Sequence, residues 1–137
     1  MSPFRPLLGL FLAALTTGAA AQGLECRAPA QPMMVGELLF GRNIDGRLGV
    51  TETQWRQFLA GEVTPRFPDG LTVLDAAGQW RDQKSNRVVR ERSKVVMIIM
   101  PADAAAQERI DAIVAAYKRR FRQQSVGVVL RPACVAF

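Results

Sequence analysis

The spacing of apolar positions changes several times along this chain, and each change marks an element. Met33–Asn43 (MMVGELLFGRN) carries Leu38, Leu39 and Phe40 in succession, which predicts a strand with apolar groups on both faces. Asp45-Gly46 follows as a turn signal. Thr51-Glu52-Thr53-Gln54 is a capping box: the Thr51 hydroxyl accepts from the backbone N–H three residues on, and Gln54 reaches back. Trp55, Phe58, Leu59 and Val63 then recur at helical spacing, which predicts a helix from Glu52 to Glu62 or Val63. Pro65 and Pro68 forbid its continuation, Phe67 can plug the core below it, and Asp69-Gly70 reverses the chain.

Extended spacing returns at Leu71–Asp75. Ala76-Ala77-Gly78 reads as a bulge or bend, after which Gln79–Gln83 resumes extension and Gln83–Asn86 (QKSN) turns. Arg87–Met100 is a long second arm that closes on the apolar run VVMIIM and stops at Pro101. Asp103 is a natural N-cap, and Ile110, Ile113, Val114, Tyr117 and Phe121 hold a helical rhythm to about Gln124. Lys118, Arg119, Arg120 and Arg122 suit the negative end of that helix dipole. Ser125–Phe137 is the last strand. The order is β-α-β-β-α-β. With right-handed crossovers and a central hairpin it predicts an α+β, ferredoxin-like βαββαβ sandwich, a four-stranded antiparallel sheet in order 4-1-3-2 with two helices on one face.

The first residues stand apart. Arg5, the apolar run Leu7–Leu15 and Ala19-Ala20-Ala21 form a signal peptide over residues 1–21, with Gln22 as the mature N-terminus. The run is shorter than the roughly 20 apolar residues a bilayer span needs, so no transmembrane segment is expected after cleavage. Export, periplasmic or secreted, follows. Residues 22–34 read as an extended lead-in and 35–137 as one domain. In an exported chain Cys26 and Cys134 read as one disulfide. Cys26 precedes the first strand and Cys134 falls near the end of the adjacent, oppositely directed last strand.

The chain has no histidine, which removes histidine-based nucleophile triads and the commonest metal ligand. Neither a metal nor a cofactor is expected. Eighteen basic against 12 acidic residues give a net charge of +6, or +5 once Arg5 leaves with the leader. Such a balance favours anionic partners. Without an arginine arm or a basic run interleaved with aromatics, nucleic acid is not expected.

The stretches ELLFGRNI, W…FL…EVTPRFPDGLTVLDAAGQWRD, RERSKVV, AYKRRFRQQSV and the closing CVAF resemble the bacterial family known as domain of unknown function 3574, from about Leu24 to Phe137. The resemblance implies a small exported domain. It implies no activity, and no residue inherits a catalytic role from it.

Two candidate sites emerge. Arg66 lies in the helix-to-strand handover, where it can pair with Asp69. At the opposite end a hairpin turning at Lys84-Ser85 sets Trp80 against Arg90, Gln79 against Glu91 and Arg81 against Val89. Arg42 and Asn43 end the first strand at that same edge. Arg42, Asn43, Trp80, Arg81, Arg90 and Arg92 there are either a site for a carboxylate or phosphate, or a set of cross-strand pairs. Asp75, Glu37 and Glu91 are the carboxylates within strands, and no two have a spacing that supports an acid/base pair. Finally, Val96, Ile98 and Met100 share one sheet face, and Val95, Met97 and Ile99 the other. Only one set can lie under the helices. The reading is a non-enzymatic binding or assembly module, a homodimer through the open face. Its alternatives are an envelope protein or residues 22–34 on that face, or a small cofactor-free enzyme acting on an anionic molecule at the arginine-rich edge.

Overall fold

The computed structural model describes residues 23–137, so the signal-peptide reading of residues 1–21 lies outside the described residues. The elements are β1 (Gln31–Gly41), β2 (Asn43–Ile44), β3 (Arg47–Leu48), α1 (Glu52–Phe58), β4 (Thr72–Arg81), β5 (Val88–Met100), α2 (Ala104–Phe121) and β6 (Gly127–Val135). Four strands form one antiparallel sheet in the order β4-β5-β1-β6, with both helices against one face. This is the ferredoxin-like sandwich that the element order predicts.

The local signals act as read. Thr51 and Gln54 complete the capping box, and Asp103 caps α2 by accepting from Ala106 N–H at 2.7 Å. After Phe58 the first helix widens into a π-helical turn, Leu59–Val63, which closes with the Thr64 N–H on the Leu59 carbonyl. Cys26 and Cys134 form the disulfide. It closes a loop across 108 positions, worth at most about 4.7 kcal/mol in the chain-entropy account.

Four details differ from the sequence reading. Strand β1 starts at Gln31, inside the stretch read as a lead-in, because Gln31–Met34 pair with Pro132–Val135 of β6. No bulge interrupts β4: its register with β5 is continuous from Thr72 to Arg81. Helix α2 stops at Phe121, where Arg122 turns left-handed (φ 51°) and the Gln123 N–H returns to the Lys118 carbonyl. The β4–β5 register is one residue away from the expected one. Trp80 opposes Val89, Gln79 opposes Arg90 and Gly78 opposes Glu91. The turn explains this: the Asp82 N–H bonds the Arg87 carbonyl, and the Asp82 carboxylate accepts from the backbone N–H groups of Lys84 and Ser85. A slip of one residue moves a side chain to the other face. Trp80 and Arg90 therefore stand on opposite faces, and the expected stacking pair does not form.

On the helix side of the sheet, Leu38, Phe40, Val96, Ile98 and Met100 are buried against Trp55, Phe58, Ile110, Ile113 and Tyr117. Phe40 is central, with its ring centroid 4.7 Å from Tyr117 and 5.2 Å from Trp55. Phe67 plugs the lower end as expected, with the Arg109 guanidinium 4.9 Å above its ring. Each large side chain buried in this way contributes about 1.5–3 kcal/mol.

Candidate functional site

The site begins with the pleat. The open face of the sheet carries Leu39 and Gly41 on β1, Trp80, Gly78, Ala76 and Leu74 on β4, Val89, Glu91, Ser93 and Val95 on β5, and Gly127 and Val129 on β6. Near the β4–β5 turn this row is made mostly of small residues. A Cβ on Gly41 would lie 2.8 Å from the Glu91 carboxylate oxygens, and one on Gly78 would lie 2.9 Å from Ser93 Oγ. The Glu91 and Ser93 side chains occupy the space those Cβ atoms would take, and a hollow lies above this row.

Two loops wall the hollow. After β1 the chain makes the β2–β3 hairpin around Asp45 (φ 51°) and Gly46 (φ 79°), left-handed at both central positions as tight hairpins require. Opposite, the early stop of α2 places residues 122–125 beside it, and Gln123 Nε2 ties the loops together by donating to the Asn43 carbonyl at 2.7 Å. The result is a cleft of about 780 Å³ with Glu91, Ser93 and Leu39 among its floor residues and Trp80 and Asn43 among its walls. Its volume lies in the range of small-molecule sites.

Glu91 is held by two neutral donors. Trp80 Nε1 donates to one carboxylate oxygen at 3.1 Å, and the Asn43 backbone N–H donates to the other at 3.2 Å. These bonds pin both wall residues to the floor. Among the described residues, the other carboxylates of the cleft are Asp45 and Asp82, and its one basic residue is Arg122. Hydrogen bonds from Ser85, first through its backbone N–H and then through its hydroxyl, hold the Asp82 carboxyl below its ordinary range.

The structure separates the residues singled out in the sequence. Asn43 and Trp80 line the cleft, whereas Arg42, Arg66, Arg81 and Arg90 do not. Arg42 is buried on the helix side of the sheet, where its Nε donates to the Val50 carbonyl at 2.9 Å and its Nη1 pairs with Glu52 at 3.2 Å. Glu52 also pairs with the buried Lys94 at 3.0 Å, and Lys94 reaches Asp75 at 2.6 Å. Arg81 donates to the Asn86 carbonyl at 2.9 Å within the hairpin turn. Arg90 is exposed beside Gln79. Arg66, at the other end of the molecule, pairs with Glu62 at 2.8 Å rather than with Asp69. The sequence reading did not assign Gly41, Gly78, Ser93 and the 122–125 loop to a site. Their signal was small residues recurring within otherwise apolar strands, and it becomes readable only with the correct register.

The profile of the family described as protein of unknown function (DUF3574) matches residues 36–137. The chain belongs to this family. No curated protein matches the sequence. Among solved structures, the chain is similar to a phage SAM lyase in complex with S-methyl-5'-thioadenosine, at 16% identity and TM-score 0.61, over 77% of this chain and 90% of that one. The same enzyme in its apo state gives 16% identity and TM-score 0.58, over 74% of this chain and 81% of that one. CutA from Synechococcus elongatus gives 11% identity and TM-score 0.49, over 75% and 78%. At these identities the likeness is one of fold. Among the described residues, no helix is long and apolar enough to cross a membrane.

Proposed function

We propose that this protein is an exported binding module that takes a small molecule into the cleft on the open face of its sheet. The observation that carries this reading is the floor of the cleft: the Glu91 carboxylate lies against Gly41, where a side chain would clash with it, and it is fixed by donors from both walls. Apolar groups (Leu39, Val89, Val95) lie beside convergent polar ones, which is the usual composition of a ligand site. The phage lyase with the same fold holds a nucleoside thioether, and a ligand of that size and mixed polarity suits this cleft. Binding is favoured over catalysis because Glu91 is held by an indole and a backbone amide rather than by a proton-relay partner. The disulfide accords with export and oxidation outside the cytoplasm.

The test is an amide chemical-shift screen of a small-fragment collection against the mature chain. Hits that shift Leu39, Gly41, Gly78, the Trp80 indole and Gly127 together support the cleft. Hits confined to the outer surface of α2, or no hits at all, remove it.

A second reading shares this face. Leu74, Leu39 and Val129 are 52%, 43% and 43% exposed, and Val95, Met97 and Ile99 are only half-buried. A second copy placed here would cover them. Because Leu39 and Val95 also line the cleft, a homodimer built this way would wall its open side. Light scattering at micromolar concentration separates the monomer mass from twice that value.

A further inference from the structure

Two carboxylates within the sheet share the open face, and they are treated differently. Glu37 is neutralised by Arg131 at 2.9 Å. Glu91 forms no ion pair with any described residue and receives only the Trp80 and Asn43 N–H groups. These two donors occupy one site on each oxygen, and a carboxylate offers about four acceptor sites in all. The remaining lone pairs are available to a molecule in the cleft. Glu91 is half-buried, so a molecule in the cleft can reach it. Beside it stands Trp80, 46% exposed, with its indole held in place by the bond to Glu91. An aromatic wall next to an uncompensated carboxylate is the chemistry that recognises organic ammonium groups. The rest of the lining agrees, with Asp45 and Asp82 against the single Arg122. The apolar strip of Leu39, Val89 and Val95 then receives an apolar body. This is the reverse of what the net charge of +6 suggests, because among the described basic residues only Arg122 lines the cleft.

Resting on the cleft proposed above, we infer that its ligand is a small organic cation: an amine carrying an apolar or aromatic body, with the ammonium against Glu91 and the body along the strip. The ammonium donates to the free Glu91 lone pairs, with the exposed Trp80 indole beside it. An anionic ligand would meet Glu91 with like charge and find one arginine.

Three probes of matched shape decide: phenethylamine, phenethyl alcohol and hydrocinnamate, which are cationic, neutral and anionic. Each is titrated into the mature protein and followed by the amide and indole resonances of the cleft. The amine is expected to bind there at least tenfold more tightly than the alcohol, with the acid weaker still. Glu91→Gln, its fold checked by its amide spectrum, is expected to bring the amine-to-alcohol ratio towards one. If the alcohol or the acid binds the cleft as well as the amine does, the cleft stands and the cation inference falls. If none of the three perturbs the cleft, both fall. The wild-type comparison stands alone should Glu91→Gln fail to fold, and an unchanged ratio in a folded Glu91→Gln protein would also overturn the inference.

Discussion

The two faces of one sheet handle charge in opposite ways. Under the helices, Arg42 and Lys94 are buried, and each has an acidic partner: Glu52 bridges both, and Asp75 completes the set. On the open face Glu91 is closer to solvent and has no cationic partner among the described residues, and Gly41 gives it the room it occupies. Burial of an uncompensated charge is costly, so a folding core compensates every charge it takes in. A half-buried carboxylate is solvated by water instead, and in the proposed site it stays available to a ligand. The contrast therefore distinguishes the face that holds the fold together from the face available to a ligand, and it does so without reference to any relative.

The largest effect that would test the contrast lies in the core. Trp55 is buried against Phe40 and Tyr117, so Trp55→Ala is expected to cost about 3–5 kcal/mol in denaturant unfolding. Leu74→Ser, on the open face, is expected to change stability by no more than about 0.5 kcal/mol. Comparable losses from the two would erase the distinction between the faces.

The buried network gives a middle-sized test with a direction. Glu52→Ala leaves Arg42 with only the Val50 carbonyl and Lys94 with only Asp75, at an expected cost of about 1–3 kcal/mol. Lys94→Met leaves behind only exposed or half-exposed carboxylates and removes a desolvated ammonium. Its cost is expected to stay within about 1 kcal/mol. The pH dependence carries the same signature. The bond from Lys94 holds the Asp75 carboxyl below its ordinary value of 3.8, so its contribution is present above that pH and lost as pH falls below it. Burial alone would push the Lys94 ammonium down. The bonds from Asp75 and Glu52 outweigh it and hold the group above 10.5, so its contribution is present below that pH and lost as pH rises past it. Unfolding curves across pH are expected to show Asp75→Asn flattening the acid limb relative to wild type.

Tyr117 illustrates a polar group absorbed by the core. Its hydroxyl donates to the Gly41 carbonyl at 2.8 Å, and burial pushes its ionisation well above the ordinary phenol value. Removing that hydroxyl with Tyr117→Phe, the smallest of the core changes, is expected to cost about 1 kcal/mol.

Much of this molecule was legible in its residues. Capping chemistry at Thr51 and Asp103, helical spacing from Trp55 and Ile110, and Pro65 and Pro101 as stops fix the elements, and chain direction pairs Cys26 with Cys134. Asn43 and Trp80 line the cleft as part of the edge read from sequence, but the rest of the cleft was not legible, for two physical reasons. Strand register depends on how Asp82 caps its turn, and one residue of error transfers Trp80 from the face of Glu91 to that of Arg90. Arginines also look alike in sequence, whether they close a buried network as Arg42 does or stand exposed like Arg90. Gly41 and Gly78 make room for the Glu91 and Ser93 side chains, and they gain meaning only beside them.

The comparison of Glu37 with Glu91 tests the account most directly. Both are carboxylates on the open face, and only one has an arginine partner. Calorimetric titration of phenethylamine into the Glu91→Gln and Glu37→Gln proteins is expected to show at least a tenfold loss for the first and wild-type affinity for the second. Equal losses from both, or wild-type affinity in Glu91→Gln, would contradict the claim that the uncompensated carboxylate is the centre of the site.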